Sequence, residues 1–303
     1  MPCLQDRTTR DRDRGTISVM LRRAAALALV LTALPLAACA GGGAASTPTP
    51  APSDTATVAQ ATQATQTPLP QPTATPTMGA GDAIVVGGDL RVRGAASTKG
   101  PVAKTLKDMA PVRIAGAVEG ENVLVGAQTW LSTVPAWTRT WYQLADNSFV
   151  YSAFIFVLQP GEESPLVDPQ GQEKWVDVNV TTQTASAMIG ARAIYTAPVS
   201  TGSPQFPSPL GSHKIEKDGR LAVERMTATQ AGYNPAQAQY DVERVLFTQY
   251  YDRNGDALHL NYWRPKEVFG AMATSHGCVG MQLHDAQYFW LFGAPGMRVE
   301  IHA

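Results

Sequence analysis

Along residues 174–180 the side chains alternate: Trp175, Asp177 and Asn179 are interleaved with Val176, Val178 and Val180. A period of two marks a strand with one buried face. The longer run "KWVDVNVTTQTASAMIGARAIYTAPVSTG" reads as three strands, turning at Thr181-Thr182 and at Ile189-Gly190-Ala191. A second β-rich pair, "VLFTQYYDRNGDALHLNYW", flanks Asn254-Gly255, a dipeptide favoured in tight hairpin turns. His259 is therefore expected on a strand just past a hairpin. Upstream, "VRIAGAVEGENVLVG" predicts two strands joined across residues 119–122. In "TWYQLADNSFVYSAFI", Trp141, Gln143 and Ala145 alternate with Tyr142 and Leu144 before a turn at Asp146-Asn147. The one convincing helical signal is "HDAQYFWLF", with Asp285 in its first turn and Gly293 and Pro295 at its end. The fold class expected is mainly β, with one or two short helices.

The first eighty residues break this pattern. "MLRRAAALALVLTALPLAACAGGG" starts at Met20 with two arginines, continues in an apolar run from Ala24 to Leu36, and reaches small residues before Cys39. That is the layout of a secretory signal, and the run is short of the ~20 residues a spanning helix needs. Leu36-Ala37-Ala38-Cys39 resembles a bacterial lipobox, which implies cleavage before Cys39 and lipid on its thiol; the alternative is an ordinary signal peptide. Residues 1–19 are polar, so the true start is placed at Met20 and residues 1–39 form the signal region. Residues 40–82 are rich in Thr, Pro and Ala, with Asp54 the one charge between Gly41 and Ala80. Such a tether cannot bury enough apolar surface to offset its ordering entropy. It is expected to be disordered, with a reach of roughly 35 Å.

Composition narrows the chemistry. The 303 residues leave room for two domains, and a net charge of −1 without blocks of like charge argues against a nucleic-acid partner. Three cysteines, Cys3, Cys39 and Cys278, are too few and too far apart for a disulfide framework. With Cys3 ahead of the true start and Cys39 lipidated, Cys278 is the one free thiol. It sits in "SHGCVGM", residues 275–281. A cysteine attacks as its thiolate and so needs a base, for which His259 and His276 are the candidates. Gly277 removes a side chain beside the nucleophile, so that backbone amides can stabilise an oxyanion. A zinc site from His259, His276, Cys278 and Asp285 is the competing reading, but His276 and Cys278 lie awkwardly close and no second metal-type pair occurs. No metal and no cofactor is expected. His284, at the helix start, is expected to be solvated.

"ALHLNYW", sixteen residues from His259 to Ser275, then "SHGCVGM", "DAQYFWLF" and "PGMRVEIH" resemble the L,D-transpeptidase (YkuD) catalytic domain over residues 173–303. "SPLGSHKI" adds to the likeness. The resemblance implies that Cys278 attacks the carbonyl between the third stem-peptide residue and a terminal D-amino acid, with His259 as general base. It implies that Ser275, His276 and Gly277 shape the loop, and that an amine on a neighbouring stem takes the acyl group. Water in its place gives an L,D-carboxypeptidase. Two residues depart from the family pattern. Leu260 stands where Gly or Ser is usual, and Gly280 stands where Asn or Arg is usual. "LRVRGAASTKGPVAKTLKDMAPVRI" and "WYQLADNSFVYSAFI" resemble a bacterial SH3-like domain over residues 83–158, in which Trp130, Trp137 and Trp141 either line a ligand groove or pack the core. The expected molecule is an SH3-like small barrel followed by a YkuD-type β-sandwich. It is expected to be monomeric and extracytoplasmic, held to the membrane by an N-terminal lipid, with peptidoglycan stem peptides as partners. A non-catalytic wall-binding lipoprotein is the alternative.

Overall fold

The structure, a computed structural model, describes residues 78–124, 134–228 and 240–303. The signal segment, Cys39, the tether up to residue 77 and Trp130 lie outside them. The described chain is mainly β with one α-helix.

Strands β1 (Ala83–Val85), β2 (Leu90–Arg93), β3 (Val102–Leu106), β4 (Pro111–Val112), β5 (Ile114–Glu119), β6 (Thr140–Leu144), β7 (Phe149–Tyr151) and β8 (Ile155–Val157) build the first β region. They form two sheets, ordered β4-β1-β8 and β3-β2-β7-β6-β5. Val85, Val92, Val150 and Ile155 lie at the centre of their shared core. Among the described residues the strand pair expected around residues 119–122 is not formed, and β5 pairs instead with β6. Asn122 explains the difference. Its Oδ1 accepts from the Leu124 amide at 3.2 Å and its Nδ2 donates to Thr138 Oγ1 at 2.9 Å. Local side-chain bonds of this kind compete with a ladder and turn the chain. Trp141 is fully buried, with Nε1 donating to the Glu121 carbonyl at 2.9 Å, so it packs the core and lines no groove.

The second β region holds β9 (Lys174–Asn179), β10 (Thr184–Ile189), β11 (Arg192–Pro198), β12 (Gly211–Lys214), β13 (Arg220–Thr227), β14 (Asp241–Tyr250), β15 (Ala257–Leu260), β16 (Val279–Met281) and β17 (Arg298–His302). One sheet runs β11-β10-β9-β17-β12 and the other β13-β14-β15-β16. The alternation in β9 has its expected effect, burying Val176 and Val178 beside Val299 and Ile301 of the parallel β17. Helix α1 (Leu283–Phe292) packs on β14 and β15. Its fully buried Phe289 and Phe292 each contribute about 2–3 kcal/mol by leaving water.

The same helix faces the first β region. Gln287 Nε2 donates to the carbonyls of Ala153 at 2.9 Å and Ile155 at 3.1 Å, and Tyr288 OH donates to the Glu163 carbonyl at 2.7 Å. His284 is not solvated as its helix-start position suggested: it is half-buried, 2.9 Å from Glu162 and stacked on Phe156. The helix turns it inward, and a carboxylate satisfies it there. A cavity of about 830 Å³ remains between the two regions, lined in part by Trp137, Tyr142 and Tyr195. On its wall Tyr195 OH donates to Asp285 Oδ1 at 2.5 Å.

Candidate active site

The parallel pair β15–β16 sets the site. Leu258 pairs with Val279, His259 with Gly280 and Leu260 with Met281. Side chains alternate along each strand, so Cys278, one residue before β16, falls on the same face as His259. A parallel pair needs a long connection, here residues 261–278. A histidine and a cysteine nineteen residues apart in sequence thus become near neighbours in space.

His259 is 3% exposed, with its ring stacked 5.6 Å from that of Trp263. Its Nδ1 lies 2.8 Å from the Leu260 carbonyl. A carbonyl can only accept, so Nδ1 carries the proton and the neutral ring presents Nε2 as a lone pair. Leu260 makes this contact through its backbone. Burial lowers the imidazole pKa to about 4, against the pull of that carbonyl, so the ring is neutral at physiological pH.

Cys278 is the free thiol among the described residues and is half-buried. Its Sγ points to the Gly255 carbonyl at 3.8 Å and makes no hydrogen bond to His259. Burial pushes the thiol up to about 12, with Asp256 adding to the effect. The resting pair is therefore a neutral thiol beside a neutral imidazole, not a preformed ion pair.

The loop before the thiol is fastened at several points. Ser275 Oγ donates to the Cys278 carbonyl at 2.5 Å and accepts from the Gly277 amide at 3.1 Å. The Gly277 carbonyl accepts from Ser208 Oγ at 2.6 Å and from Tyr251 OH at 3.3 Å. Ser208 Oγ in turn accepts from the Gly202 amide at 2.9 Å. The His276 ring lies over Phe206 at 4.5 Å and Tyr240 at 5.0 Å, away from the thiol's hydrogen bonds. Burial, with Arg264 nearby, lowers its pKa. Asp285 is bonded to Tyr195, and among the described residues no group of three or more His, Cys, Asp or Glu side chains is gathered to hold a metal ion.

Gly277 has φ +121°, and a Cβ there would overlap Asp256 Oδ1. Both facts exclude a side chain. Gly277→Ala is expected to cost about 1–3 kcal/mol, read as a lower urea midpoint, through left-handed strain and that clash. The space at Gly280 is filled by the residue that follows β15: a Cβ there would lie 2.8 Å from Asn261 Nδ2. Asn261 is 4% exposed and its Oδ1 has no hydrogen-bond partner. The side chain missing at Gly280 is thus replaced in space by an amide from residue 261.

Sequence reasoning missed Asp256, Ser208, Tyr251 and Asn261. Ser208 lies in a Pro-rich loop far upstream, and nothing local marks it. Asp256 had one signal, its place in the hairpin loop just before the His259 strand. The turn is wider than Asn254-Gly255 implied, running from Tyr251 to Asp256 between β14 and β15. Asp252 Oδ1 accepts from the amides of Asn254 at 2.8 Å and Asp256 at 3.2 Å, holding the loop open. Burial raises the Asp256 carboxyl to about 7, with Asp252 adding to it. A carboxyl raised in the folded state stabilises it below the unfolded pKa of about 4 and loses that contribution as pH rises through about 7. Asp256→Asn is therefore expected to be the more stable protein at pH 8, by about 1–2 kcal/mol after discounting for partial exposure, and to lose that advantage at pH 4. Thermal melts across this range test the sign.

Comparison with known proteins bears on residues 173–301, which match the family model of the YkuD L,D-transpeptidase catalytic domain. No curated protein matches the chain. Among solved structures, an L,D-transpeptidase from Mycobacterium smegmatis is similar at 14% identity and TM-score 0.40, over 71% of this chain and 77% of that one. L,D-transpeptidase 3 from Mycobacterium tuberculosis, solved with a faropenem-derived adduct, is similar at 16% identity and TM-score 0.38, over 54% and 67%. A mutant of the Enterococcus faecium L,D-transpeptidase is similar at 16% identity and TM-score 0.36, over 46% of this chain and 51% of that one.

Proposed function

We propose that the protein is a peptidoglycan L,D-transpeptidase. One observation carries the reading: within the segment that matches the family model, His259 and Cys278 share a sheet face, with the imidazole tautomer fixed so that Nε2 is free to accept. Cys278 attacks the carbonyl joining the third stem residue to the terminal D-amino acid. The thiol proton passes to His259 Nε2 as the sulfur–carbon bond forms. A tetrahedral oxyanion results, and the Cys278 amide is its donor, because the Gly277 amide is already bonded to Ser275. Collapse expels the D-amino acid, which leaves with the proton from His259. An amine on a second stem then attacks the thioester, an amide forms and the thiol is restored. Ser275, His276 and Gly277 hold the loop through the contacts described above. No metal or organic cofactor enters these steps.

The rest of the chain fits an enzyme acting on the wall. Cys39 is the lipid anchor, residues 40–77 are the tether that follows it, since Met78 is already buried and the Gly81 amide donates to the Leu158 carbonyl at 2.8 Å, and the first β region is an SH3-like module that abuts the catalytic domain. The protein is a monomeric lipoprotein facing the cell wall.

One observation favours a second reading. The thiol is neutral at rest and bonded away from His259, as in a wall-binding protein that has lost its chemistry. Full-length protein with tetrapeptide-stem muropeptides separates the two. The transpeptidase forms a thioester detected by mass spectrometry and releases D-alanine, with cross-linked product. A wall-binding protein retains muropeptides and shows no mass shift. Release of D-alanine with tripeptide product alone identifies a carboxypeptidase.

A further inference from the structure

Asp256 has no function in the mechanism above, and its surroundings do not explain it. Its carboxyl is half-buried against Gly277, the residue before the nucleophile, yet makes no hydrogen bond or ion pair among the described residues. The groups facing it are Asp252 on its own loop, Tyr251 at the loop's base and Cys278 across from it. None is a cation. A carboxylate here works against the nucleophile, because its charge opposes the thiolate. An uncompensated group beside reacting atoms calls for a partner that arrives with the substrate.

Resting on the transpeptidase reading, we infer that Asp256 is the receptor for the acyl acceptor, binding the side-chain ammonium of the second stem and taking its first proton. The chemistry balances. The ammonium gives one proton to the Asp256 carboxylate and becomes a neutral amine. The amine nitrogen bonds to the thioester carbon, the carbon–sulfur bond breaks, and the second proton passes through His259 to the departing sulfur. The products are an amide, the Cys278 thiol and a protonated Asp256, which releases its proton to solvent. Water carries no charge for Asp256 to hold, so the residue favours transfer over hydrolysis. Asp252 supplies a second negative charge behind it and strengthens the pull on a cation.

Two measurements on the full-length protein test this. In the first, Asp256→Asn is given tetrapeptide donor and a lysine-bearing stem tripeptide as acceptor. Acylation and D-alanine release proceed, while the ratio of cross-linked to hydrolysed product falls about tenfold and the acceptor KM rises, matching loss of one charge-assisted contact. In the wild type the acceptor KM falls as pH rises through 7, and Asp256→Asn abolishes this dependence. An unchanged ratio and KM overturn the inference. The second measurement needs no turnover. The tripeptide slows iodoacetamide alkylation of Cys278 in the wild type and not in Asp256→Asn, and its N-acetylated counterpart slows neither. Equal protection of both proteins by the free amine overturns the inference, even if the wild type never acylates. A wild type that never acylates but shows the protection difference overturns the transpeptidase reading alone.

Discussion

Cys278→Ala is expected to abolish acyl-enzyme formation, with the rate of D-alanine release falling by about 10⁴-fold or more. The magnitude follows from losing the proposed nucleophile itself, because the remaining groups can only orient substrate and water. Cys278→Ser is expected to fare little better. A hydroxyl is less acidic than the thiol, and the site already disfavours an anion there, with burial and Asp256 both pushing the ionisation up. The fold is expected to survive either change. The thiol is half-buried at the edge of the core, its one side-chain hydrogen bond is a weak one to Gly255, and a substitution of that kind usually shifts stability by less than about 1 kcal/mol. Mass spectrometry after incubation with tetrapeptide muropeptides, or with a carbapenem as a reactive surrogate, reads the result directly. Equal mass shifts in the wild type and Cys278→Ala would place the acylated residue elsewhere and remove the proposed mechanism.

What the sequence makes legible of this fold and of the candidate site is local. Alternation over residues 174–180 specified β9 and its buried valines, because one pleated face determines which residues leave water. The helix after Met281 was legible from its acidic first turn and its Gly293 and Pro295 stop. His259 and Cys278 were paired in the sequence by the family resemblance that their spacing and the Ser-His-Gly-Cys run carry, not by the spacing itself. The parts that were not legible depend on contacts between distant segments. Asn122 turns the chain only because Thr138 lies across from it. His284 is buried only because Glu162 and Phe156 come from the first β region to cover it. The hairpin at Asn254-Gly255 was placed correctly, but its width was not. Asp252 binds two amides of its own loop, and this carries Gly255 and Asp256 to the thiol. Gly280 carried the clearest departure from the family pattern. Its explanation, the Asn261 amide lying over it, depends on the register of β15 against β16, which a single sequence does not encode.

His259→Gln is expected to lower acylation by about 10²–10⁴-fold, the usual contribution of a positioned general base. Glutamine keeps a polar side chain on the strand but has no basic nitrogen. The resting protonation states decide how this loss should appear. Had the enzyme stored a thiolate–imidazolium pair, removing His259 would raise the thiol pKa and slow alkylation of the free protein near neutrality. Here the imidazole is lowered to about 4 and the thiol raised to about 12, so the proton moves only when substrate is attacked. Iodoacetamide should therefore alkylate wild type and His259→Gln at similar rates, each rising tenfold per pH unit from 7 to 10 without a plateau. Acylation by muropeptide should instead rise with pH through about 4 in the wild type, as His259 loses its proton, and this step should vanish in the variant. Stability gives an independent check with a definite sign. His259 is depressed below its unfolded value of about 6.5, so the unfolded chain binds the extra proton first. The wild type is at full stability above pH 6.5 and loses about 3 kcal/mol as pH falls toward 4, a loss His259→Gln does not share. A wild-type alkylation plateau near neutral pH would refute the neutral pair and restore a stored thiolate. A flat acid stability profile would show that His259 is not held neutral by burial, and the substrate-coupled proton transfer would fall with it.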